Sequence, residues 1–97
     1  MLCDVLSEFY QIPREKSLHD LDYVKDSIVE RLRACTDFTN INDHYVRGDI
    51  LSINGRLHIS RGPTILTVIF KYPANVPTED LDVVRKVLKE SGLTNVV

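Results

Sequence analysis

Ninety-seven residues, 43% of them apolar and 27% charged, suffice for one domain with one core and little room for a deep catalytic cleft. This composition argues against disorder, and a net charge of −2 gives no bulk attraction to nucleic acid or anionic membrane. No run approaches the ~18 apolar residues that a transmembrane helix needs.

The distribution of charge says more than its sum. Residues 1–43 carry −4, residues 44–71 carry +3 and residues 72–97 carry −1, so a basic central segment lies between acidic flanks. Cys3 and Cys35 form no C-x-x-C, and neither a metal site nor a cofactor is expected. The start, Met1-Leu2-Cys3-Asp4, lacks the basic and apolar regions of a signal peptide. A cytoplasmic protein with two free thiols is the expectation.

Leu2, Val5, Leu6 and Phe9 recur at helical spacing and predict a short amphipathic helix over 2–11, ended by Pro13. Ser17 is a plausible N-cap for a long helix over about 18–36, with Leu21, Val24, Ile28 and Leu32 on its buried face. Residues 36–43 (TDFTNIND) read as a loop.

A three-stranded antiparallel meander is expected next, over 44–53, 56–60 and 64–72, with a bulge near Gly48. Asn54-Gly55 predicts a two-residue hairpin, and Gly62-Pro63 marks the second turn. That hairpin places Ile53 opposite Arg56. Ile50, Ser52, Leu57 and Ile59 then share one face, and Leu51, Ile53, Arg56 and His58 the other. On the third strand Leu66, Val68, Phe70 and Tyr72 alternate with Ile65, Thr67, Ile69 and Lys71. Thr78, Glu79 and Asp80 open a C-terminal helix that Gly92 closes, and 93–97 form an edge strand or a docked tail.

The expected architecture is a single α+β domain over 1–97, in the order α-α-β-β-β-α, with the helices mainly on one sheet face. The other face carries Leu51, Ile53, Ile65 and Ile69, which are expected to bind a protein partner or a second copy of the chain. The leading functional expectation is therefore a small non-enzymatic interaction or regulatory protein, an inhibitor or adaptor, acting as a homodimer. Nucleic-acid binding is the alternative, with Arg47, Arg56, Arg61 and Lys71 contacting phosphates. A hydrolase or nuclease built on His44, Asp49 and His58 is the third reading.

Overall fold

Antiparallel pairing joins six strands in the order β2-β3-β4-β5-β1-β6, and two helices pack on one face of the sheet. The computed structural model describes residues 4–42 and 46–96, at 40–42 the backbone alone. The elements are β1 (Val5–Pro13), α1 (Leu21–Cys35), β2 (Phe38–Asn42), β3 (Val46–Ile50), β4 (Gly55–Arg61), β5 (Ile65–Pro73), α2 (Thr78–Glu90) and β6 (Thr94–Val96). The chain is mixed α+β, but the expected three-helix, three-strand order is wrong. Among the described residues, no helix is long and apolar enough to cross a membrane.

The first correction is the N-terminal segment, which is a strand and not a helix. Val5, Leu6 and Phe9 fit a helical period, but Leu6, Tyr10 and Ile12 fit a period of two. Glu8, Tyr10 and Ile12 point towards the helices, while Ser7, Phe9 and Gln11 point away. The segment pairs with β5 along its whole length, from Val5 opposite Pro73 to Pro13 opposite Ile65. An isolated helix this short is marginal, whereas pairing with a nine-residue strand satisfies its backbone and buries Tyr10 and Ile12.

Residues 38–42, expected in a loop, form edge strand β2 against β3. Phe38 is buried there, and that burial outweighs the turn preference of its Thr and Asn neighbours. The two-residue hairpin at Asn54-Gly55 is also replaced. Residues Leu51–Ile53 make a 3-10 turn, and Asn54 alone takes a left-handed conformation (φ 52°). Asp37 holds this turn, accepting from the Ser52 backbone N–H at 2.8 Å and from its hydroxyl at 3.1 Å.

Ile50 consequently opposes Gly55, and Arg56 pairs with Asp49 instead of Ile53. That slide is an even number of residues, so the side chains that stay in β3 and β4 keep their faces.

The helices follow the sequence more closely. Asp20, not Ser17, caps α1 by accepting from the Tyr23 backbone N–H at 2.9 Å. Gly92, at φ 94°, follows α2 and lets the Leu93 N–H return to the Leu88 carbonyl. Leu21, Ile28 and Leu32 of α1 and Val84 and Leu88 of α2 meet Leu57, Ile59, Val68 and Phe70 in one core.

Gly48 lies beneath Phe38 in this core. A Cβ there would stand 2.5 Å from the Phe38 ring and 2.6 Å from the Thr39 carbonyl oxygen. Gly48→Ala is expected to cost about 1–3 kcal/mol in a denaturant titration, because a backbone atom must yield. An unchanged midpoint would show that β2 moves freely away from β3.

Candidate binding face of the sheet

Covalent geometry sends alternate side chains to opposite faces, so the face away from the helices is the complement of the core. Among the rows of side chains that cross it, two carry charged groups. One runs Asp49, Arg56, Lys71, Ser7 over β3, β4, β5 and β1. The next runs Arg47, His58, Ile69, Phe9, Val96 and reaches β6.

Arg47 of β3, Arg56 and His58 of β4 and Lys71 of β5 form a basic patch. Ile65 and Ile69 of β5, Phe9 of β1 and Val96 of β6 form apolar positions beside it, interspersed with Ser7, Gln11, Thr67 and Thr94. Phe9 is 45% exposed and Val96 37%, although both lie in paired strands. Among the described residues no helix covers this face; the two helices lie on the opposite side.

Asp49 is the one acid on this face among the described residues, and it accepts from Arg56 Nε at 2.9 Å. Burial pushes the His58 imidazole below 6.5, and the neighbouring Arg47, Lys71 and Arg56 push it further, against a weaker opposite pull from Asp49. Arg47 Nε is buried without a hydrogen-bond partner among the described residues.

The expected partner-binding residues divide. Ile65 and Ile69 lie half-buried on this face, but Leu51 and Ile53 leave the strand for the 3-10 turn. Ile53 turns into the core and is 7% exposed, so it offers no docking surface. Leu51 projects into solvent at one end of the sheet.

The expected nucleic-acid residues divide too. Arg47, Arg56 and Lys71 converge, whereas Arg61 lies on the helix side and donates to Asp22 of α1 at 3.0 Å. Phe70 and Tyr72 are core residues, and among the described residues Phe9 is the exposed aromatic of the open face. Asp49 and His58 share the face diagonally; His44, with Tyr45, lies outside the described residues. Among the described residues, no three metal-ligating side chains cluster. Cys35 is a free, exposed thiol, and Cys3 lies outside the described residues.

A second polar cluster went unseen in the sequence. Glu8 of β1 lies under α2 and accepts from Tyr10 at 2.6 Å, from Tyr72, and from Arg85 at 2.5 Å. Arg85 also donates to Asp82 at 3.1 Å and lies 6.0 Å over the Tyr72 ring. Burial alone would raise the Glu8 carboxyl, but hydrogen bonds from Arg85, Tyr10 and Tyr72 outweigh it and hold the group at about 2.

Burial, and then the same carboxylate, push both tyrosine hydroxyls up. The cluster satisfies itself internally and clamps α2 to β1 and β5. An acid alternating with Leu6, Tyr10 and Ile12 was the available signal, visible only once the segment is read as a strand.

No family model, curated protein or solved structure matches this chain.

Proposed function

We propose that this chain is a small non-enzymatic binding protein of the cytoplasm that engages an acidic protein segment through the open face of its sheet. The observation that carries the reading is that basic Arg47, Arg56 and Lys71 and apolar Ile69, Phe9 and Val96 lie side by side on one face of the sheet, opposite the helices. Specific interfaces combine apolar anchors with charge complementarity of this kind. Two copies meeting through these faces would oppose like charges, which favours a different, acidic partner over a homodimer.

The test is a native pull-down from source-cell lysate, with and without nuclease, using the wild-type chain, an Arg56→Glu/Ile69→Glu variant and an Arg33→Ala control on α1. The reading expects a protein that survives nuclease, is lost with the double variant and is kept by the control. Capture indifferent to the double variant would remove it.

Nucleic-acid binding remains the second reading because Arg47, Arg56 and Lys71 share the open face with Phe9. With three cations available, affinity for a single strand would fall with salt with a log–log slope of about −2. Capture abolished by nuclease, with such a slope, would put this reading first.

A further inference from the structure

Arg56 and Lys71 stand directly opposite each other on β4 and β5. Like charges in that relation repel and destabilise a sheet. Asp49 compensates Arg56 from the other side, at 2.9 Å. Lys71 has Ser7 on its other side, and no carboxylate pairs with it among the described residues. The row is one negative charge short.

The row borders a cleft of about 360 Å³ at the end of β3, β4 and β5. Val5, Leu51 and Pro73 form an apolar side of the cleft, with Asn54 and Gly55 at the turn. Val5 and Leu51 are 65% and 66% exposed, far more than large apolar side chains inside the fold. A cleft of this volume falls at the small end of ligand sites, roughly 300–1,000 Å³. Cations on one wall and unburied aliphatic groups on the other call for an occupant with both an anion and an apolar group.

The charge count calls for a singly charged anion. Arg56, Lys71 and Asp49 together carry +1, which a single carboxylate balances. A phosphate monoester, carrying about −1.5 to −2 near pH 7, would leave the site negative. A chain of phosphates would need further cations that the cleft walls do not supply.

Building on the protein-binding reading above, we infer that this cleft is the anchor point of the open face, receiving an Asp or Glu carboxylate of the partner together with an adjacent large apolar side chain. Lys71 binds the carboxylate, Arg56 supports it through the field it shares with Asp49, and Leu51 and Val5 close over the apolar neighbour. This arrangement also gives exposed Leu51 a role in binding that its distance from Ile65 and Ile69 would otherwise deny it.

The experiment is an NMR titration of the isotope-labelled full chain with the blocked tripeptide acetyl-Leu-Glu-Leu-amide. Parallel titrations use acetyl-Leu-Gln-Leu-amide, the Lys71→Gln chain and oligothymidylate. The expected result is a set of shifts confined to amides around Val5, Leu51, Arg56 and Lys71, with a dissociation constant on the order of millimolar. Replacing Glu in the probe, or Lys71 in the chain, should weaken binding about tenfold.

Lys71 is exposed, so the variant's own spectrum certifies its fold. Absence of shifts at the cleft, or equal affinity for the Glu and Gln probes, would overturn the inference. Displacement of the peptide by oligothymidylate at equal concentration would overturn it as well and assign the site to phosphates. Lysate capture that depends on Ile69 but ignores Lys71→Gln would retire the cleft and leave the wider protein-binding reading standing.

Discussion

Glu8→Gln is expected to destabilise the fold by about 3 kcal/mol at neutral pH and to flatten its acid sensitivity. The Glu8 side chain is 13% exposed and that of Arg85 25%, so this ion pair is shielded from solvent screening. The carboxyl titrates at about 2 in the folded chain against 4.5 as the ordinary value. Between those values the unfolded chain holds a proton that the folded chain refuses. Stability from Glu8 is therefore complete above about pH 5 and drains away as pH falls towards 2.

Denaturant titrations from pH 7 to pH 2.5 would show this as a slope in the wild type that the variant lacks. Identical slopes would assign the acid sensitivity to other carboxylates. Arg85→Met should cost a similar amount, and the double variant less than the sum, because each single change strands the other's charge or hydrogen bonds.

The second large effect is a contrast between neighbours. Phe70→Ala should cost about 3–5 kcal/mol, since Phe70 is wholly buried between sheet and helices. Ile69→Ala, one residue earlier on the same strand, should cost under about 1 kcal/mol, because its side chain faces the uncovered side. Equal costs in the isolated chain would mean that Ile69 is packed in solution, as in a self-associated form whose stability rises with protein concentration. A purely local cost at Ile69 leaves it free to contribute to a partner.

How much of this was legible depends on which distances set each feature. The inward stripe Leu66, Val68, Phe70, Tyr72 and the helical faces of Leu21, Val24, Ile28 and of Leu81, Val84, Leu88 followed from periodicity alone. The placement of Arg56, His58, Ile69 and Lys71 on one face also followed, because an even slip in register leaves the parity of a strand intact. Arg61 was misplaced because position 61 alternates to the helix side, where Asp22 reaches it. Ile53 was misplaced because a single 3-10 turn removes it from the strand.

The segment from Val5 to Pro13 marks the limit most clearly. Its local pattern supports a helix and a strand alike, and the free energies separating them at this length are small. The decision lies more than fifty residues away, where β5 presents an edge of matching length and β6 arrives from α2 to pair with Phe9, Tyr10 and Gln11.

By itself, then, the sequence determined the inward and outward sets of its central strands and the buried faces of its two helices, because these depend on bond geometry and local burial. Only the tertiary structure decided that the N-terminal segment is a strand, that Glu8 meets Arg85 and Tyr72, and that three cations share an uncovered face with Phe9. Those depend on which distant segments pair, and hydrogen bonds across a sheet carry no trace in the spacing of a single strand.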